Sequence, residues 1–247
     1  MKSKIRIASI IVTYNRVSEA KAQMDIIRKL WQPNFENIDI YHEFNGKKKW
    51  YPNKYSEDFL HRHKSMYYLS GANYLVNQGF KHVFESGKKY DLIIVTSADA
   101  WFYDPKKLNN LVNTMHEKKF ELATSLWGMV VLGTEFFIIK PSLAKKVFPL
   151  RLTNILKQKR VLKWAHKIAV FESVFTLKVM RVLKNPNKIY LIPGRKTVWT
   201  KNRYNSPGFY ASHHDPIQRK IDIEVKIKSI SGRKIDKMPG LSKFLTP

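Results

Sequence analysis

Ile5-Arg6-Ile7-Ala8-Ser9-Ile10-Ile11-Val12-Thr13-Tyr14-Asn15-Arg16 is the stretch that decides the class of fold. It is rich in β-branched residues and lacks polar alternation, as a strand covered on both faces requires, and it ends in a polar turn. Ser18 is placed to cap a helix running to Leu30, so the chain opens as strand, polar loop, helix. A second strand is expected over residues 38–43, stopped by Asn45-Gly46. Residues 47–64 are polar and aromatic without a period. Tyr68, Ala72, Leu75, Gly79 and Val83 then recur at steps of three and four, one face of a helix. Leu92 to Thr96 is a short buried strand ending in Ser97-Ala98-Asp99, and Asp104-Pro105 opens a helix to about Lys118.

This alternation predicts an α/β fold, a mostly parallel, Rossmann-like sheet flanked by helices. Ligands of such sheets gather at the carboxyl ends of the strands, where two polar loops fall here, residues 13–16 and 97–104. Past Leu122 the expectation is a strand at 133–139, helices at 142–148 and from about 154 to 183, then a short strand at 188–192 inside a break over 186–194. Residues 217–247 alternate isoleucine with charge and then become basic, so one domain over 1–216 with a basic C-terminal extension is expected. No internal repeat is present.

Of 247 residues, 45 are Lys or Arg and 19 Asp or Glu, a net charge of +26. Such a field attracts polyanions: nucleic acid, nucleotide diphosphates, acidic glycans or an anionic membrane surface. A hydrophobic content of 44% excludes a disordered tail, and the chain is long enough to bury a core without staples. The absence of cysteine removes disulfides, Cys-ligated zinc, iron–sulfur clusters and thiol nucleophiles together. It gives no support for an oxidising compartment. The apolar stretches 5–12 and 122–134 are too short for a span of ~20 residues, and Met1-Lys2-Ser3-Lys4 runs straight into a strand. Neither a membrane span nor a signal peptide is expected, and the cytoplasm is the expected location. Residues 157–167 interleave cations with Val161, Leu162 and Trp164, which suits peripheral contact with anionic lipid.

Ile10 to Arg16, then Asn77-x-Gly79 on a helix before Tyr90 to Asp99, resembles in order and spacing the amino-terminal half of a GT-A glycosyltransferase of the family 2 type, over about residues 5–140. The resemblance implies a nucleotide-sugar-binding half (1–120) and an acceptor-side half (121–216). It implies transfer of a sugar, with inversion, from a nucleotide-sugar donor to a carbohydrate or lipid-linked acceptor in surface glycan biosynthesis. Thr13, Tyr14, Asn15, Arg16, Asn45 and Asn77 would then belong to the donor site. Asp99 matches the second acid of the family's Asp-x-Asp motif, which holds Mn²⁺ or Mg²⁺ and the diphosphate. A carboxylate at the open end of a buried strand is a suitable oxygen ligand for either ion; the other reading is an Asp capping a turn. Two departures stand out. Ser97 occupies the first acid position, a hydroxyl that donates to phosphate but does not neutralise a cation. Phe44 stands where the family has an acid before Asn-Gly; Glu43 would replace it only if the strand end were re-registered, since neighbours on a strand face opposite ways, and Phe44 would otherwise stack on the base.

Glu172 is the single carboxylate between Phe136 and His214, among 17 Lys and Arg. Ile168, Phe171, Phe175, Val179 and Val182 form an apolar stripe beside it, so it reads as a pocket-wall acid suited to general base work or as the partner of a tertiary salt bridge. The family places its base in this part of the chain. Glu135, interrupting an apolar strand, is the competing base, or an ordinary paired strand acid. His213-His214 would complete the metal site by position, or else lie in a solvated loop. Trp101 and Trp127 read as sugar-stacking rings on the acceptor side or as core. The rivals to a transferase are a polyanion- or nucleic-acid-binding basic protein and a degenerate, inactive transferase fold; no specific nucleic acid is expected. A sugar nucleotidyltransferase would carry a Gly-rich loop after the first strand, and none is present.

Overall fold

The opening run forms β1 (Ser3–Thr13), and the helix after it, α1 (Val17–Ile26), continues as a wider turn over Ile27–Trp31 until Pro33 ends it. The structure is a computed structural model, and it describes residues 3–66, 68–98, 100–102, 104–127, 131–151, 170–197, 204–205 and 210–213. The α1 cap is Arg16 rather than Ser18: Ala20 N–H donates to the Arg16 carbonyl at 3.0 Å, and the Arg16 guanidinium meets Glu19 at 3.2 Å. Helical bonding thus begins before Ser18, and no side chain caps the helix start; an acid, Glu19, sits in its first turn.

The remaining elements are β2 (Phe35–Phe44), β3 (Phe59–Arg62), α2 (Tyr68–Glu85), β4 (Leu92–Ser97), β5 (Ala100–Phe102) and α3 (Pro105–Glu117), then β6 (Leu122–Trp127), β7 (Val131–Ile139), α4 (Pro141–Val147), α5 (Val170–Leu183), β8 (Ile189–Thr197), β9 (Tyr204–Asn205) and β10 (Tyr210–His213). Asp104 caps α3 by accepting from Lys107 N–H at 3.0 Å, with Pro105 at the first helical position. Five strands, β3, β5, β6, β9 and β10, were not foreseen. β3 lies in the stretch read as having no period, and β6 lies within the apolar stretch before the expected strand, which itself starts at Val131.

Seven strands form one sheet in the order β3-β2-β1-β4-β7-β6-β8. All neighbours are parallel except β7, which runs antiparallel to β4 and β6. The expected class, a mostly parallel sheet flanked by helices, is what the chain adopts. A second sheet, β5-β10-β9, stands apart from it. Each face of the large sheet carries an apolar layer. One joins Ile7, Ile11, Ile38 and Ile94 to α1 and α3; the other joins Ile10, Val95 and Phe137 to α2, α4 and α5. Each fully buried aliphatic or aromatic side chain contributes about 1.5–3 kcal/mol. The stripe of α5 packs as its spacing requires: Phe171, Phe175 and Val179 are buried, and Phe175 lies 5.0 Å from Phe137. Gly79 sets how closely α2 approaches the sheet, because a Cβ there would lie 2.5 Å from Ile10 Cγ2.

Among the described residues no helix is long and apolar enough to cross a membrane. The helical expectation before residue 170, the basic segment 157–167 and the extension 217–247 lie outside the described residues.

Candidate functional site

Strands β1, β2 and β4 end side by side: Thr13 pairs with Phe44, and Val12 with Ser97. Two cross-links continue the alignment into the loops, Asn45 N–H to the Thr13 carbonyl and Ala98 N–H to the Val12 carbonyl, each 3.2 Å. Asn45 Nδ2 donates to the Met66 carbonyl at 2.9 Å. Thr13 Oγ1 and Asn45 Oδ1 are buried without a hydrogen-bond partner among the described residues, so this edge holds polar capacity that those residues do not use. Gly46 lies under the Tyr14 backbone, where a Cβ would come within 2.0 Å of the Tyr14 carbonyl. The Tyr14 ring meets Trp50 edge-on at 5.8 Å, and Asn15 is exposed beyond it.

At the end of β4, Ser97 Oγ donates to the Glu135 carbonyl at 3.4 Å, and Thr96 Oγ1 donates to the Ala100 carbonyl at 2.8 Å, shaping the turn into β5. Asp99 lies outside the described residues, as does His214. The late segment does return here. β10 pairs antiparallel with β5, Ser212 opposite Ala100, so the strand ending in His213 runs beside the residues that follow β4. His213 thus lies in a strand.

Glu172 sits in the first turn of α5, 9% exposed, and its Oε1 accepts from Thr134 Oγ1 at 3.0 Å. Among the described residues that hydroxyl is the one hydrogen-bond donor to its carboxylate. Thr176 pins the helix start to β7: its hydroxyl donates to the Glu172 carbonyl at 2.7 Å and accepts from Leu132 N–H at 2.8 Å. Glu135 is the next residue on β7 after Thr134 and is also buried. Ser97, through the Glu135 carbonyl, and Glu172, through the Thr134 hydroxyl, are therefore tied to neighbouring residues of β7. Trp127 closes β6, its backbone paired with Val131.

Four expectations are corrected. Glu43 is fully buried on the α2 side of the sheet, and its carboxylate takes hydrogen bonds from His61, His63 and His82, so it does not face a base. Burial opposes its ionisation, yet the bonds from His63 and His82 outweigh that and hold its pKa below the ordinary value. Phe44 is buried as well, 5.6 Å from Tyr51, so it is no stacking platform. Asn77 grips the backbone of Leu150, donating to its carbonyl at 3.0 Å and accepting from its N–H at 2.8 Å, which occupies both ends of the amide. Trp101 is core: its ring has no exposure and its indole N–H donates to the Ala98 and Glu19 carbonyls.

The histidines around Glu43 were missed by the sequence reading. The available signal was His61-x-His63, which places two imidazoles on one face of a strand, but β3 itself was not foreseen. A second buried acid, Glu57, accepts from the Tyr51 hydroxyl at 3.0 Å and stands 3.8 Å from His42 Nδ1. Burial raises its pKa, but the His42 ring beside it and the Tyr55 N–H that it accepts at 2.9 Å prevail and hold it down at about 2.

No family model matches the chain, and no curated protein matches it. Among solved structures it is similar to a mannosyltransferase from Pyrobaculum calidifontis in complex with GDP-Man and Mn²⁺, at 13% identity over 68% of this chain and 53% of that one, TM-score 0.46. It is similar to glucosyl-3-phosphoglycerate synthase from Mycobacterium tuberculosis in complex with Mn²⁺ and UDP, at 10% identity over 58% of this chain and 59% of that one, TM-score 0.43. A putative nucleotide-diphospho-sugar transferase from Desulfovibrio desulfuricans is 10% identical over 78% of this chain and 82% of that one, TM-score 0.46. The chain spans between half and three-fifths of the length of the first two. The fold stated above stands on the strand order and register of this chain, not on these likenesses.

Proposed function

We propose that the chain is a glycosyltransferase that moves a sugar from a nucleotide-sugar donor to a hydroxyl of a carbohydrate or lipid-linked acceptor, with inversion, in surface glycan biosynthesis. The observation that carries this reading is the gathering on one sheet edge of Thr13, Asn45 and Ser97, at three neighbouring strand ends, with the buried acids Glu135 and Glu172 joined to Ser97 through β7. An edge with unused polar groups, followed by acids in an apolar wall, suits a nucleotide on one side and a reacting hydroxyl on the other.

In this reading the 13–16 loop seats the nucleotide, with Arg16 and the surplus of lysine and arginine offsetting its phosphate charge. Glu172 takes the proton of the acceptor hydroxyl as that oxygen attacks the anomeric carbon; the bond from sugar to phosphate breaks, and the nucleoside diphosphate leaves with the electron pair. Glu135 is the alternative base, and Trp127 the remaining candidate for contact with the acceptor. The described residues at the end of β4 contribute a neutral hydroxyl, Ser97, already donating to a carbonyl. They do not by themselves fit Mn²⁺ or Mg²⁺. A divalent ion would rest on Asp99 with His213 or His214, and when bound it would offset charge on the departing diphosphate. No step above is routed through it.

The test is to incubate the protein with a panel of UDP-, GDP-, dTDP- and CMP-sugars, with and without Mn²⁺, and follow release of nucleotide. Saturable release with one donor class supports the reading. No release and no thermal shift with any donor overturns it, and salt-sensitive binding to RNA or DNA without a saturable sugar-nucleotide site would favour the polyanion-binding rival.

A further inference from the structure

Glu43 is the most enclosed acid in the described structure that has imidazoles on more than one side. Its residue has no exposure, yet its carboxylate is met from two further elements. β3 brings His61 opposite it in register, and His63 follows two residues on, held by its N–H to the Phe44 carbonyl at 2.8 Å. α2 brings His82 across the face of the sheet, one turn after Gly79, whose missing Cβ lets the helix come down onto Ile10 and the Glu43 stem. His61 Nδ1 and His82 Nδ1 each lie 2.9 Å from Glu43 Oε1, and His63 Nε2 lies 2.6 Å from Oε2. The donor atoms of Glu43, His63 and His82 all fall within 4.8 Å of one another. Three of the chain's eight histidines are spent on this one carboxylate.

We propose that Glu43, His63 and His82, with His61 beside them, bind a divalent transition-metal ion of the zinc type, fastening β3 and α2 to the end of β2. The bland account is a carboxylate accepting three N–H bonds. It requires His61 and His82 both to carry the proton on Nδ1 while their rings stack at 3.6 Å, and it spends three imidazoles from three segments on one carboxylate. A metal accounts for the convergence directly. Two or three imidazole nitrogens and one carboxylate oxygen make the ligand set of zinc and its neighbours, whereas Mg²⁺ and Ca²⁺ take oxygen. Around a tetrahedral ion with bonds of about 2.0–2.1 Å, ligand atoms stand about 3.3 Å apart, so the present O···N contacts open by roughly half an ångström to admit it. An entry route exists, because the His61 and His82 side chains are 29% and 22% exposed while Glu43 and His63 lie behind them. The site is built from residues other than the proposed bases and Asp99, and it does not depend on the transfer reading.

The test uses the full chain without an affinity tag, treated with chelator and then titrated with ZnCl₂, with CoCl₂ as a coloured probe and MgCl₂ as a control. Binding of one equivalent is expected, with the intense visible bands of a four-coordinate Co²⁺ and no displacement by millimolar-scale Mg²⁺. Glu43→Gln, His63→Gln and His82→Gln should each weaken Zn²⁺ binding at least tenfold, whereas His116→Gln should not. Because these variants could fold poorly, the histidine side-chain NMR signals of the wild-type protein give a second readout. The signals of His61, His63 and His82 should shift together up to one equivalent of Zn²⁺ and then stop. No saturable binding, six-coordinate Co²⁺ spectra, or a first equivalent that moves only other histidines would each overturn the proposal.

Discussion

Glu43 and Glu172 are both buried carboxylates, one at the end of β2 and one in the first turn of α5, and their neighbours differ. Glu43 closes β2 and is held by three imidazoles from β3, the segment after it and α2; every contact fixes it as an anion that accepts hydrogen bonds. Glu172 opens α5 and receives one hydroxyl, that of Thr134, beside an apolar layer of Phe171 and Phe175. The first is enclosed and saturated, the arrangement of a structural or metal-binding group. The second keeps capacity for a further proton partner, which a general base needs. Both are buried glutamates, so the number and kind of their hydrogen-bond donors is what distinguishes them.

Substitutions at and around the two glutamates put this contrast to the test. Glu172→Gln is expected to cut kcat for sugar transfer by about 10²–10⁴-fold, with donor KM and Tm close to wild type. An equal loss in Glu135→Gln with none in Glu172→Gln would move the base to the neighbouring strand position. Glu43→Ala should act on stability instead, costing about 3–5 kcal/mol in urea unfolding because it leaves three imidazoles around a hole. Gly79→Ala places a methyl 2.5 Å from Ile10 Cγ2 and should cost about 1–3 kcal/mol while weakening the contact of His82 with Glu43. Asn77→Ala removes two bonds to Leu150 and should cost about 1–2 kcal/mol with donor KM unchanged; a donor KM raised tenfold at unchanged stability would restore its nucleotide role.

The smallest effect is one of pH. Glu57 has a folded pKa of about 2 against an ordinary 4.5, a depressed carboxylate, so its contribution is present above pH 4.5 and is lost as pH falls toward 2. Urea midpoints measured at pH 5 and pH 3 should fall less for Glu57→Gln than for wild type.

Much of the sheet was legible because its cause is local. β1, β2 and β4 are runs of β-branched residues, α2 shows its buried face at Leu75, Gly79 and Val83, and Asp104-Pro105 marks the start of α3 as a cap should. What escaped is what tertiary neighbours decide. Phe59–Arg62 is too short and unpatterned to announce a strand, and becomes one by aligning with Tyr41–Phe44 in parallel register. Leu122–Trp127 merged with the strand after it because both are apolar and only three residues divide them in sequence. The fate of Glu43 depended on residues 18, 20 and 39 positions away, and Asn77 on one 73 positions away, separations that no local pattern reveals. The apolar stripe beside Glu172 lies within its own helix, and for that reason its burial was foreseen.

The most direct measurement is a crystal structure of the protein with a bound nucleoside diphosphate. The account predicts the nucleotide along the ends of β1, β2 and β4, in contact with Thr13 and Asn45, its phosphates reaching the β4–β5 turn and the Glu172 carboxylate opening onto the same cleft. A nucleotide bound elsewhere, or Glu172 facing away from it across the sheet, would contradict the account.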